Sequence, residues 1–449
     1  MVTSRYDVLV APATPWGYSA LAIVRLSGEG THALIARFLR PISKRPLAVG
    51  GPRRVEVFDA DGVFDDGVVL LGGAPATFTG DDTAELTVHG NPLIVERVLA
   101  AATAAGATLA GPGSFTRRAV ANGKLDLVRA EAVLQVSSAR SYAGLAVARD
   151  AASGRVSEAL SALRARLLES GAELEARLDY PGDELALIDD DALCDALSAV
   201  AERCEALAGT VPVGERLIGG ARVALVGAVN AGKSSLFNAL VGRTRALVHA
   251  TPGTTRDVLE TQIVRGGLAF TLLDTAGERP TDDPVEAAGL ALARELVDEA
   301  DAVVVVLRAR ASGLSEVERM LLARTADRAR VVVVNGVDEA EPVGVPASAV
   351  RTAAPLGQGV EELVAALKQV LTGEALGHSA LVLASARQRQ QLERAGEAAR
   401  EAAELLALAG PAVAAERVIE ALEALDELTG QRPREAVLDA LFARFCIGK

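Results

Sequence analysis

Residues 227–234 read Gly227-Ala228-Val229-Asn230-Ala231-Gly232-Lys233-Ser234, a full match to the GxxxxGK[ST] spacing. The run before it, Val223-Ala224-Leu225-Val226, is a short buried-strand signal, and the apolar Leu236, Phe237, Leu240 and Val241 after it keep helical spacing. A strand feeding a glycine loop that feeds a helix is the context this spacing requires. The glycines let successive backbone N–H groups turn toward one anion, Lys233 places a point charge on the outer phosphates, and Ser234 offers a hydroxyl to magnesium. The stretch therefore predicts an α/β unit with a nucleoside triphosphate site built on Asn230, Ala231, Gly232, Lys233, Ser234 and Ser235.

Two later segments narrow the nucleotide, because each ends an apolar strand, where open α/β sheets place their ligand contacts. Asp274-Thr275-Ala276-Gly277 follows Ala269-Phe270-Thr271-Leu272-Leu273. Its aspartate is expected in the magnesium shell and its glycine amide at the γ-phosphate. Asn335-Gly336-Val337-Asp338 follows four valines and resembles the NKxD guanine motif of GTPases. Asp338 is expected to accept both the ring N–H and the exocyclic amine of guanine, which adenine cannot supply. The lysine usual in that motif, whose stem covers the base, is Gly336 here, so GTP selectivity is expected to survive with weaker affinity, and a lysine at 336 to tighten it. Thr352-Ala353-Ala354 stands where such units carry a SerAla-type base contact.

The chain has 449 residues, half of them apolar, enough for two to four domains with sizeable cores. With 46 Lys and Arg against 59 Asp and Glu, the net charge of −13 argues against a broad, non-specific grip on nucleic acid, so any RNA contact must be local or shared. Cys194, Cys204 and Cys446 form no CxxC pair, and the four histidines offer no zinc spacing. Pro12, Pro15 and Gly17 interrupt any N-terminal leader pattern, and no apolar run approaches the roughly 20 residues that span a bilayer. A cytoplasmic protein without membrane contact is expected.

The expected architecture is multidomain, α+β and α/β. Residues 1–120 mix strand-like runs with Gly/Pro turns and a helix near 91–104. Residues 121–216 turn to Ala, Leu, Glu and Arg at helical spacing, with Leu160, Leu163, Leu167, Leu174 and Leu178 on one face until Asp179-Tyr180-Pro181-Gly182 breaks it. The nucleotide unit occupies 217–373, and helical character returns over 374–449. Similar composition on both sides suggests that the nucleotide unit is inserted in one helical domain, as close domain termini permit.

The last four residues, Cys446-Ile447-Gly448-Lys449, end a segment whose Val437, Leu438, Leu441, Phe442 and Phe445 keep helical spacing. With the inserted nucleotide unit, this ending resembles the MnmE (TrmE) family of GTPases, which modify the wobble uridine of certain tRNAs with the flavoprotein MnmG. The likeness extends over residues 7–15, Phe78-Thr79-Gly80-Asp81-Asp82, residues 85–90, Asn122-Gly123-Lys124-Leu125-Asp126-Leu127 and Gly253-Thr254-Thr255-Arg256-Asp257.

The resemblance implies a homodimer whose N-terminal domains bind 5-formyltetrahydrofolate at their interface, with Arg25, Glu85, Lys124 and Lys449 as contacts. Arg and Lys suit the folate carboxylates, and a carboxylate suits the amine and N–H of the pterin. On residues alone, Arg25 reads as a strand-edge charge, Glu85 as a solvated strand position and Lys124 as a surface lysine. The resemblance further implies that Glu286 orients the attacking water, where a helix-start glutamate is the other reading. Potassium in place of an arginine finger would be held by Asn230, His249, Thr251 and Thr254. The loop of His249, Ala250, Thr251, Pro252, Gly253, Thr254 and Thr255 would border GTP, and magnesium would take Ser234 and Thr255. Cys446 stands open between a nucleophile that adds to the pyrimidine ring and a packed thiol; His89 reads as structural.

The chain departs from the family pattern at Trp16-Gly17-Tyr18-Ser19-Ala20, where a basic glycine-rich turn is usual, at Val229, at Gly336 and at Arg432-Pro433-Arg434-Glu435. Two other readings compete: an Era/Der-like ribosome-associated switch, which needs neither the N-terminal domain nor the Cys-Ile-Gly-Lys ending, and a degenerate GTP-binding scaffold.

Overall fold

The computed structural model describes residues 7–43, 45–179, 188–242, 260–274, 297–373, 381–432 and 435–449. The chain divides into two compact units, Met1–Leu134 with Leu422–Lys449, and Gln135–Ala421.

The first unit is built on a seven-stranded sheet. Its strands are β1 (Leu9–Pro12), β2 (Leu21–Ser27), β3 (Leu39–Pro41), β4 (Arg53–Asp59), β5 (Gly62–Gly72), β6 (Thr83–His89) and β7 (Thr108–Leu109), in the order β3-β4-β5-β6-β2-β1-β7. Only β1 and β7 run parallel. Alternation in β2 and β6 turns Val24, Leu26, Leu86 and Val88 inward, where the helix Pro92–Ala104 covers them with Val95, Val98 and Ala102. That helix starts where sequence chemistry starts it: the Asn91 side chain accepts from the Leu93 amide at 3.0 Å and Pro92 fills the first turn. Opposite faces of the same strands carry Arg25 and Glu85, register partners across β2 and β6, among the exposed Leu21, Val68 and Leu70.

The helix Glu435–Phe442 belongs to this unit. Leu441, Phe442 and Phe445 form a small core with Leu127 and Ala130, and the Phe442 and Phe445 rings stand 5.5 Å apart. The expected apolar face of 437–445 is therefore the face that packs. Of the departure at 432–435, Pro433 and Arg434 lie outside the described residues.

In the second unit a six-stranded sheet has β8 (Ala221–Gly227), β9 (Glu260–Arg265), β10 (Leu268–Asp274), β11 (Ala302–Arg308), β12 (Arg330–Asn335) and β13 (Val350–Thr352), in the order β13-β12-β11-β8-β10-β9. All pairs are parallel except β9 with β10. The valine runs of β11 and β12 are buried without alternation, as strands covered on both faces must be. Valines 304, 306, 331 and 333 pack with Leu236, Leu240, Leu363 and Leu367 on one side; Val303, Val305, Val332 and Val334 pack with Leu321 on the other.

The other described elements of this unit are helical. Along Arg155–Asp179, Leu160, Leu163, Leu167 and Leu174 are buried, while Leu178 is exposed near the helix end. Asp190–Ala208 lies close along Ala386–Ala409, whose buried face is Ala395, Gly396, Ala398, Ala399 and Ala402. A Cβ on Gly396 would come 3.2 Å from the Cys204 side chain and 3.3 Å from the Ala201 carbonyl, so small residues set this close crossing. Among the described residues no helix is long and apolar enough to cross a membrane.

Candidate functional site

The carboxyl ends of the parallel strands place the sequence-predicted nucleotide residues along one edge of the second sheet. Val306 of β11 pairs with Gly227 of β8, Arg308 with Asn335 of β12, and Asn335 with Thr352 of β13. β8 runs into the loop 228–232 and then the helix Lys233–Val241. Asn230 is the described non-glycine residue with positive φ, at 63°, and Gly232 follows at 92°. Steric room dictates the glycines: a Cβ on Gly227 would lie 2.5 Å from the Val306 carbonyl, and one on Gly232 2.1 Å from Asn335 Nδ2. Asn230, Ser234 and Ser235 are exposed at the helix start, and Ala231 is buried beneath them. The buried Lys233 ammonium donates to the carbonyls of Gly227 at 2.8 Å and Ala228 at 3.2 Å, which hold it against the 227–232 loop.

Asn335, of the 335–338 motif, meets both the 227–234 loop and the 352–354 segment. Its Oδ1 accepts from Thr352 Oγ1 and from the Ala354 amide, both at 3.1 Å, while its amide side lies against Gly232 of the phosphate loop. Thr352 returns its carbonyl to the Gly336 amide at 2.8 Å and the Val337 amide at 3.3 Å. Thr352, Ala353 and Ala354 are buried, and Asp338 is left exposed at the rim. One buried carboxamide thus bonds to the 352–354 segment and packs against Gly232 of the 227–234 loop.

Asp274 ends β10 in register with Leu225. Thr275, Ala276 and Gly277, the loop His249, Ala250, Thr251, Pro252, Gly253, Thr254 and Thr255, and Glu286 lie outside the described residues.

Two residues of this edge carried no signal that we read in the sequence. Arg308 ends β11 with its guanidinium against Gly336 and in an ion pair with Glu339. Its amide donates to the fully buried Glu318, which also accepts from the Ser315 amide at 2.8 Å and hydroxyl at 2.7 Å and from Arg310 at 3.0 Å. Burial opposes the Glu318 charge, but these donors outweigh it and hold its carboxyl below the usual range. The capping box of the helix Glu316–Arg324 was the available sign for Glu318; the missing lysine at 336 was the sign for Arg308. The expectation that a lysine at 336 would tighten the site meets two obstacles. Gly336 has φ 87°, and a Cβ there would sit 3.1 Å from the Arg308 guanidinium.

In the first unit, Arg25 and Glu85 form an ion pair, with Nε at 3.0 Å and Nη2 at 2.8 Å from one carboxylate oxygen. Arg25 also donates from Nη1 to the Gly448 carbonyl at 2.9 Å and lies over the Phe115 ring at 5.9 Å. The tail is threaded here by backbone contacts, since the Phe115 amide donates to the Lys449 carbonyl at 3.3 Å and the Gly113 amide to Cys446 at 3.5 Å. Gly448 has φ 92°, and a Cβ on it would lie 2.2 Å from the Pro12 carbonyl. Cys446 is exposed while Phe445 beside it is buried, so packing does not account for the thiol.

Lys124 sits with a different group. It donates to the Pro75 carbonyl at 3.1 Å and lines Gly80, while Arg118 and Asn122 hold Asp81 at 3.0 and 2.9 Å and Ser27 meets Thr79 at 2.7 Å. The 78–82 and 122–127 motifs therefore meet each other. His89 Nδ1 stands 2.6 Å from Asp65, and that hydrogen bond raises its pKa from the ordinary 6.5.

Residues 8–124 match the family model for the GTP-binding protein TrmE N-terminus, and residues 127–446 match the model for the MnmE helical domain. Proteins called tRNA modification GTPase MnmE are similar throughout. That of Roseiflexus sp. (strain RS-1) is 36% identical over 99% of this chain and 99% of its own length. That of Chloroflexus aurantiacus is 38% identical over 99% and 100%, and that of Myxococcus xanthus 40% identical over the whole of both. On matches of this extent, the chain belongs to the MnmE (TrmE) family.

Proposed function

We propose that the chain is a GTP hydrolase of tRNA modification that acts at C5 of the wobble uridine in the cytoplasm, together with the flavoprotein MnmG and a folate one-carbon donor. The observation that supports the GTPase reading is Asn335, buried with its side chain against Gly232 of the 227–234 loop on one side and bonded to the 352–354 segment on the other. In this reading the loop amides and Lys233 bind the β- and γ-phosphates, Asp338 selects guanine, and Glu286 orients water. The exposed Ser234 in the first helical turn fits a magnesium ligand, and in this reading Thr255 and Asp274 would serve the same ion. Asn230, held at positive φ on the crest of the loop, fits a potassium ligand with His249, Thr251 and Thr254. Either ion, when bound, neutralises charge that builds on the transferring phosphoryl group.

The tail supports the folate reading. Arg25, Glu85 and the backbone of Gly448 and Lys449 converge on one sheet face, and their donors and carboxylate match a ligand that carries both carboxylates and a pterin edge. Exposed Leu21, Val68 and Leu70 on that face suit a second copy, which makes the homodimer part of the proposal.

GTP turnover by the full chain in potassium and in sodium at equal ionic strength tests the cation mechanism. The expected rate is about a hundredfold higher in potassium, the scale of losing one preorganised charge-stabilising contact. Equal rates would remove the potassium site. A Lys233→Ala protein that bound and hydrolysed GTP normally would overturn the phosphate-loop assignment itself.

A further inference from the structure

We propose that Arg308 is a base-contacting residue of the nucleotide site, its guanidinium covering the face of the purine that the bare backbone of Gly336 leaves open. This deepens, and rests on, the reading of residues 335–338 as the guanine loop.

Placement is the first argument. Arg308 is the last residue of β11 and the register partner of Asn335, so its side chain leaves the sheet at the carboxyl edge where the base loop begins. Direction is the second. The guanidinium Nη1, Cζ and Nε lie 3.1, 3.2 and 3.5 Å from the position a Cβ would take on Gly336. Arg308 thus fills the volume next to the base loop that a side chain at 336 would otherwise enter.

Rigidity is the third argument. The Arg308 amide is fixed by the buried Glu318, and the next amide, of Ala309, donates to the Asn335 carbonyl at 2.9 Å. At the far end Glu339 holds the guanidinium, and the Glu339 amide donates to the Gly336 carbonyl at 3.0 Å. Both ends of a long side chain are therefore tethered to the loop that would read the base, which reduces the rotamer entropy lost on binding. A planar guanidinium is the cation suited to stacking on an aromatic ring, where a lysine ammonium would act as a point charge. Its side chain is 27% exposed, enough to offer one face to a ligand.

Calorimetry of the full chain with GDP and with inosine diphosphate, which lacks the exocyclic amine, tests this. Stacking is indifferent to that amine, so Arg308→Ala should weaken both ligands by about tenfold and keep their ratio. Arg308→Lys should fall between. Under steady-state turnover Arg308→Ala should raise KM for GTP and leave kcat within about twofold. Glu339→Gln removes the ion pair but keeps the guanidinium, and should weaken GDP by less than Arg308→Ala does, the loss being that of the tether alone. Unchanged affinity in Arg308→Ala would overturn the proposal, and so would a loss in Glu339→Gln equal to that in Arg308→Ala, which would make the pair a structural clip. Asp338→Ala separates the underlying reading: it should erase the preference for GDP over inosine diphosphate. If that preference persists, residues 335–338 do not read guanine, whatever Arg308 does.

Discussion

Arg25 donates a hydrogen bond to the carbonyl of Gly448 at 2.9 Å, joining residues 423 positions apart in the chain. The same guanidinium pairs with Glu85, so a single side chain connects the sheet to the tail that carries Cys446. Both partners are partly exposed, which limits the ion pair to less than about 1 kcal/mol of stability. Its consequence lies in position: the tail is held beside the charged face of the sheet.

Arg25→Ala is therefore expected to melt the chain at nearly the same temperature, yet to bind 5-formyltetrahydrofolate at least about tenfold more weakly, the scale of a charge-assisted contact. Hydrogen exchange at residues 446–449 should rise in the same variant. Calorimetry that found unchanged folate affinity would remove Arg25 from the proposed donor site.

Asn335→Ala should cost about 1–3 kcal/mol in a denaturant titration, because the buried Ala354 amide loses its acceptor and the Thr352 hydroxyl is left with the Val334 carbonyl at 3.4 Å. GTP affinity should fall as well, since the side chain lies between Gly232 and the 352–354 segment. A variant of ordinary stability and affinity would show that the two loops are positioned independently of it.

His89 gains protonated-state stabilisation in the fold, first from its hydrogen bond to Asp65 and then from the Asp65 charge; desolvation opposes this, and the Asp66 charge adds to it. A folded pKa above the unfolded value means that the contribution is complete below about 6.5 and is lost as pH rises through the folded value. NMR titration should place His89 above 6.5, and Asp65→Asn should bring it back down. A midpoint at or below 6.5 in the unaltered chain would contradict the pairing.

Thiol reactivity should rank the three cysteines. Cys446 is exposed, whereas burial pushes the Cys204 thiol up to about 12 and also raises Cys194, whose thiol faces the Ala403 carbonyl at 3.3 Å. One fast-labelling thiol in the native chain, lost in Cys446→Ser, is the expected result. Fast labelling of Cys204 would show that the crossing of Asp190–Ala208 with Ala386–Ala409 opens readily.

The nucleotide unit was the most legible part of the chain because its signals are local. Gly227 and Gly232 occupy positions where neighbouring backbone and Asn335 leave no room for a Cβ, and the valine strands announce their own burial. Other features rest on distant partners. Strand β5 carries no clear strand signal: Asp65 and Asp66 are turn-type residues, although Asp65 is buried to receive the His89 amide, and Gly67 is there because a Cβ would lie 2.4 Å from the Thr87 carbonyl. The apolar face of 437–445 was visible from spacing, but its docking beside Leu127 was not. Arg308 belongs to no motif, since the position where the guanine motif usually has lysine, Gly336, follows a different strand. Leu178 kept helical spacing and is nonetheless exposed, because periodicity reports a face and not where its cover stops.

The central claim is that GTP hydrolysis by this chain serves wobble-uridine modification in tRNA. Its most direct measurement is nucleoside mass spectrometry of tRNA from a strain lacking the gene, complemented by the unaltered chain or by Glu286→Ala. The account predicts that C5-modified wobble uridine disappears on deletion, returns with the unaltered chain and stays absent with a Glu286→Ala protein that binds GTP but does not turn it over. Full modification in the deletion strain, or full restoration by the hydrolysis-dead protein, would contradict it.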